Sequence, residues 1–135
     1  PLQWNIHGGK DISSFKDSVT PPGKVSVVYP PVNSKTLLSR KSFTFLYEAQ
    51  NIDSVYIQLI VSSTDTNILY FREYTYHTLN KGKYEIDQQV IDELPKGAYA
   101  QIAITSVKSK VHESGQESYL IRVGIIDRTL VYFSD

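Results

Sequence analysis

Three histidines, His7, His77 and His112, are the side chains of this chain best suited to hold a metal ion, and their spacing argues against it. None stands at HxH or HExxH spacing, so a site would need three distant loops to converge. There is no cysteine, which removes thiolate nucleophiles, zinc-thiolate sites and disulfide frameworks. No G-x-S-x-G is present, and the serines are spread over stretches where their hydroxyls serve local hydrogen bonding. Gly8-Gly9 before Lys10 is the nearest thing to a phosphate cradle, but no strand leads into it and no helix follows. Glu48, Glu73, Glu85, Asp87, Asp92 and Glu93 supply carboxylates for glycoside hydrolysis, yet solvated strand faces and loops explain them better than a facing pair does. The turn from Ser62 to Asn67 is rich in oxygen, but its one carboxylate, Asp65, is too little charge for calcium, and a plain hairpin loop is the default. These patterns predict a protein that is not an enzyme and needs no cofactor or metal.

The whole-chain numbers narrow the partners. Lys plus Arg equal Asp plus Glu at 14 each, so no net field steers the chain to nucleic acid or anionic lipid. Short basic pairs such as Arg40-Lys41 and Lys108 with Lys110 fall in predicted turns and call for no nucleic-acid partner. The longest apolar run is far below the roughly 18 residues of a membrane-spanning helix. With 135 residues and 41% hydrophobic content, the chain is long enough for one domain with a real core. The absence of methionine and the start at Pro1 suggest a processed or truncated chain, part of a larger protein or assembly. No asparagine carries a glycosylation sequon, which mildly disfavours a eukaryotic secreted origin.

The elements that must position any site are strands. Residues 1–23 show no sustained period and close on Thr20-Pro21-Pro22-Gly23, so they are expected to be a tail or linker, with the folded domain at 24–135. Trp4, the single tryptophan, is either a latch holding that tail to the domain or a binding residue. From Lys24 onward apolar residues alternate: Val25, Val27 and Tyr29; Phe43, Phe45 and Tyr47; Val55, Ile57, Leu59 and Val61; Tyr84, Ile86 and Val90; Tyr119, Ile121, Val123 and Ile125. Ala98 to Val107 is a further strand and gives way to the polar stretch Lys108 to Gln116, while Leu130 to Phe133 forms an edge strand or a connector. The one short helical candidate is Gln89 to Leu94, cut by Pro95. Seven or eight short strands with regular turns predict an all-β, antiparallel two-sheet sandwich.

Leu94-Pro95-Lys96-Gly97-Ala98-Tyr99, followed by Gln101-Ile102-Ala103-Ile104, resembles the corner turn and penultimate strand of fibronectin type III and related immunoglobulin-like domains. Ser114-Gly115-Gln116-Glu117-Ser118 and Leu120-Ile121-Arg122-Val123 are similar to their last loop and last strand. Ile102 and Ile104 have the opposite parity to Tyr99, so either a bulge intervenes or Tyr99 is not the corner tyrosine. The resemblance implies an extracellular or cell-surface module for spacing, adhesion or binding, as found in adhesins, surface lipoproteins and accessory regions of carbohydrate-active enzymes.

Ten tyrosines against five phenylalanines suit half-buried positions and binding surfaces better than a dry core. Tyr70, Arg72, Tyr74 and Tyr76 share one parity of the run Asn67 to His77, and Leu69 and Phe71 share the other. A three-residue loop places Leu59 opposite Phe71 and Tyr56 opposite Tyr74, which turns the tyrosines outward; a shift by one residue turns them inward. The first register is favoured. It yields a flat outward platform of Tyr56, Gln58, Tyr70, Arg72, Tyr74 and Tyr76 that suits a protein partner or, alternatively, a sugar ring in a carbohydrate-binding module. Cross-strand packing that merely stabilises the sheet, or coverage of this face by the N-terminal tail or an adjacent domain, is the competing explanation.

Overall fold

The computed structural model describes residues 1–32, 35–65, 67 and 70–134. Among them are ten strands and one short helix: β1 (Leu2–Ile6), β2 (Phe15–Val19), β3 (Val25–Tyr29), β4 (Thr36–Leu38), β5 (Phe43–Ala49), β6 (Ser54–Ser63), β7 (Phe71–Leu79), β8 (Lys83–Ile86), α1 (Gln88–Asp92), β9 (Ala98–Ser114) and β10 (Glu117–Phe133). The fold is all-β. A three-stranded sheet in the order β3-β5-β8 and a five-stranded sheet in the order β4-β10-β9-β6-β7 share one core, and β1 and β2 form a separate pair. All ladders are antiparallel except that of β4 with β10, which is parallel.

Alternation along the strands builds that core. Phe45 and Tyr47 of the small sheet meet Val55, Ile57, Leu59 and Val61 of β6 and Ala100, Ile102 and Ile104 of β9, all buried. Because successive side chains point to opposite faces, each strand contributes every second residue to this layer. Full burial of each Leu, Ile or Val is worth about 1.5–3 kcal/mol, so this set supplies much of the drive to fold. The helix lies where the sequence predicts it. It is held by Arg40, whose guanidinium donates to the carbonyls of Leu94 and of Pro95 (3.0 Å).

One open side of the sandwich is closed by polar side chains reaching backbone. Ser106 Oγ donates to the Gly23 carbonyl (3.1 Å), Thr129 Oγ1 donates to the Pro31 carbonyl (2.9 Å), and Asp127 accepts from the Val27 N–H (2.8 Å). Ser106 and Thr129 are thus buried without losing their partners.

Several expectations need correction. The polar stretch after Val107 is not a loop: β9 continues to Ser114, turns at Gly115-Gln116 and returns as β10 without a break in register to Tyr132 opposite Tyr99. Gly115 takes φ 65, as the first central position of a tight hairpin turn requires. Leu130 to Phe133 is the end of β10, and the unforeseen β4 pairs beside it.

Residues 1–23, expected as a tail or linker, contain a pair of strands that the sequence pattern does not suggest. Leu2↔Val19 through Ile6↔Phe15 form an antiparallel pair, and Val19 and Phe15 pack on Ile121 and Val123, a small second core on the β9–β10 extension.

The register of β7 also differs. Leu59 lies opposite Tyr74 and Ile57 opposite Tyr76, three residues from the favoured pairing of Leu59 with Phe71. The ladder ends at Ser62↔Phe71, so the connection is longer than a three-residue loop. An odd offset reverses every side chain of the strand. Leu69, expected to face inward, lies outside the described residues, as does Thr66 of the oxygen-rich turn.

Candidate functional site

The reversal divides the expected platform. Tyr70, Tyr74 and Tyr76 pack against the core, and only Tyr56 and Gln58 stand on the outer face. Arg72 shares the parity of the tyrosines, opposite Val61, and is exposed. The tyrosines instead seal the second open side of the sandwich. The Tyr76 ring lies 4.8 Å from that of Tyr84, and the Tyr74 hydroxyl donates to Glu93 Oε2 (3.1 Å). Burial, with Tyr70 and Glu93 beside it, pushes the Tyr74 phenol well above its ordinary range. Tyr76 and Tyr84 are raised chiefly by burial as well. A ring that is greasy at its base and polar at its tip suits this half-covered rim, which accounts for the excess of tyrosine.

The outer face of the five-stranded sheet carries a different set. Cross-strand pairing aligns Leu37, Tyr132, Tyr99, Ser62 and Phe71 in one row. Below it run Leu130, Gln101, Ile60 and Glu73, then Arg128, Ala103, Gln58 and Thr75, then Ile126, Thr105, Tyr56 and His77. Tyr56 stacks on His77 (centroids 4.5 Å, 14° between planes), and Tyr99 meets Tyr132 at 6.1 Å. Tyr99 therefore sits with an outer aromatic pair. Gln58 Nε2 donates to Glu73 Oε1 (2.6 Å), while His77 Nε2 and Ser54 Oγ are 2.9 Å apart. Leu37 is 67% and Phe71 62% exposed, so the top row is an apolar and aromatic strip open to solvent.

At the β10 end of this face, Val32, Lys35, Gln101, Arg128, Leu130 and Tyr132 line a shallow depression of about 360 Å³. Arg128 makes no ion pair among the described residues. The contribution of Tyr99, Arg128 and Tyr132 to this face went unforeseen. Extending the period of two from Tyr119 through Tyr132 puts Ile126, Arg128, Leu130 and Tyr132 on one side and would have found it.

Among the described residues no three His, Asp or Glu side chains gather into a metal-holding group. His112 pairs with Asp17, His77 stacks on Tyr56, and Glu93 accepts from Tyr74. Trp4 lies on β1 and, with Ile6, Ile12, Phe15, Tyr119 and Ile121, lines an apolar groove of about 440 Å³ beside β10. Among the described residues no helix is long and apolar enough to cross a membrane.

No family model, curated protein or solved structure matches the chain.

Proposed function

We propose that this protein is a non-catalytic interaction module of immunoglobulin or fibronectin type III-like architecture, extracellular or on a cell surface, that binds a protein partner through the outer face of its five-stranded sheet. The architectural part is supported by strand order. An edge-to-edge order β3-β5-β8 facing β10-β9-β6-β7 is what the A-B-E and G-F-C-C′ strands of such domains display. The observation that carries the functional part is the face itself: exposed Leu37, Phe71, Tyr56, Ile126 and Leu130 with Tyr99 and Tyr132, interspersed with polar residues, and an arginine at its β10 side that makes no ion pair among the described residues. Aromatic residues and arginine dominate binding energy at protein interfaces.

A glycan is the second reading, favoured by the depression in which the Tyr132 ring lies beside Gln101 and Arg128. Parallel presentation of the protein to a glycan array and to surface proteins of its source separates the two. The protein reading expects a polypeptide partner whose binding falls at least about tenfold in Tyr132→Ala and Arg128→Ala. Glycan binding lost in the same variants, with no polypeptide bound, would replace it with the second reading.

A further inference from the structure

We propose that the free edge of β10 from Ser118 to Ile126 takes up an extended strand of a partner protein, one that alternates apolar with acidic side chains. This inference rests on the interaction-module reading and names a second surface for it.

The hairpin of β9 and β10 is longer than the sheet around it. On its far edge, among the described residues, β10 pairs with β4 only at Val131–Phe133. In the two-residue hairpin, Ser114 and Glu117 exchange backbone hydrogen bonds, so the odd-numbered residues of β10 bond to β9 and the even-numbered ones point the other way. The Ser134 N–H, donating to Leu38 O (2.9 Å), follows that rule. The edge-facing backbone groups of Leu120, Arg122, Gly124 and Ile126 have no partner among the described residues.

Protective devices are sparse. Proteins blunt exposed edges with proline, bulges, charge or a covering segment. Here the register is continuous, no proline interrupts it, and Leu120 and Ile126 are both more than half exposed. Such an edge is a template for strand addition, in which main-chain hydrogen bonds supply affinity and alternate side chains supply selectivity.

The two faces of an added strand meet different surroundings. One face turns to the groove of Trp4, Ile6, Ile12 and Phe15, whose lining Leu120 and Arg122 complete, and calls for apolar residues with an acid beside Arg122. The other follows the exposed even-numbered side chains past Ile126 toward Arg128, and neither arginine has a carboxylate partner among the described residues. Acidic side chains there gain charge-assisted hydrogen bonds. A second copy of this chain is a poor occupant, because the same face of its β10 offers arginine, leucine and isoleucine but no acid.

Gly124→Pro tests the edge directly. It removes an outward N–H without touching the β9 ladder, and a Cβ at this position meets nothing nearer than 3.4 Å. The probe is a displayed library of linear peptides selected on the whole protein, followed by synthetic peptides and hydrogen exchange. Expected are peptides alternating apolar residues with Asp or Glu, slowed exchange at the even-numbered amides, and a loss of at least about tenfold in both Gly124→Pro and Arg122→Glu. Each variant is checked for its circular-dichroism spectrum and unfolding midpoint, and Leu120→Pro repeats the test should Gly124→Pro fail to fold. Selected peptides that bind Gly124→Pro unchanged, or no selected peptide at all, would overturn the proposal. So would a concentration-dependent dimer that Gly124→Pro dissolves, which would give the edge to a second copy. A partner lost in Tyr132→Ala but kept in Gly124→Pro would sink the edge and spare the interaction-module reading; glycan binding alone would sink that reading.

Discussion

Asp17 Oδ2 lies 2.7 Å from Nδ1 of His112, and Asp17 Oδ1 takes a bond from the Lys110 ammonium. Two residues away on the same strand, Phe15 stacks on the His112 ring at 4.4 Å and on Tyr119 at 4.8 Å. One carboxylate and one phenyl ring thus tie the N-terminal pair of strands to the far end of the β9–β10 hairpin.

That tie has a defined pH range. Lys110, then the Ser18 N–H and His112, hold the Asp17 carboxyl down to about 2 from an ordinary 3.8. A carboxylate whose pKa is lowered by folding stabilises the fold above its unfolded value and loses that contribution as pH falls through the folded one. The N-terminal strands are expected to stay docked down to about pH 3.8 and to loosen toward pH 2, with Trp4 fluorescence as the reporter. In Asp17→Asn that acid step should vanish. An acid step of the same size in the variant would show that other groups carry it.

Facing along β6 is testable by contrast. Leu59 is fully buried, whereas Tyr56, three residues away and so on the opposite face, is 39% exposed. Leu59→Ala should cost about 2–5 kcal/mol, and Tyr56→Ala should cost distinctly less in urea unfolding. Equal losses would contradict the register.

The inward turn of β7 makes an alkaline prediction. A phenol raised by folding is neutral in the folded chain at pH values where the unfolded chain has ionised, so stability declines as pH rises beyond 10.0. Tyr74→Phe should weaken that decline while losing about 0.5–1.5 kcal/mol at neutral pH through the missing bond to Glu93. Unfolding midpoints measured across the alkaline range decide it. An unaltered alkaline decline in the variant would argue for an outward, solvated Tyr74.

Two glycines should resist substitution. A Cβ on Gly23 would meet the Gln50 carbonyl oxygen at 1.5 Å, because the backbone before β3 presses on the end of β5. Gly97 takes φ 64 with Thr64 Oγ1 2.6 Å from the position of a Cβ. Gly23→Ala and Gly97→Ala should each lose about 1–3 kcal/mol, while Gly9→Ala, with open space around it, should unfold like the parent chain. Thermal unfolding of the three variants side by side is the measurement.

Alternation made the two-layer core legible before any coordinates. Val55, Ile57, Leu59 and Val61 are apolar at every second position, and each is fully buried. The helix signal was weak, a single short candidate at Gln89 to Leu94 cut by Pro95, and the helix forms at Gln88–Asp92. The N-terminal pair was not legible: Leu2, Trp4 and Ile6 alternate with Gln3 and Asn5, but the run is only five residues long and Asp17 breaks the apolar parity of Phe15 and Val19 in its partner. Lys108, Ser109 and Lys110 hid the upper half of β9 because they put polar groups on both of its faces, where the strand projects past the main core.

What the amino-acid order determined alone is therefore the class of fold and the identity of its inner layer, because burial selects one parity and that parity is written in residue type. The tertiary structure decided which way Tyr70, Tyr74 and Tyr76 point. Both faces of β7 carry rings and polar groups, so local pattern does not choose between them. The choice falls to the length of a connection and to the closing of an open side by Tyr84 and Glu93, groups that come from elsewhere in the chain.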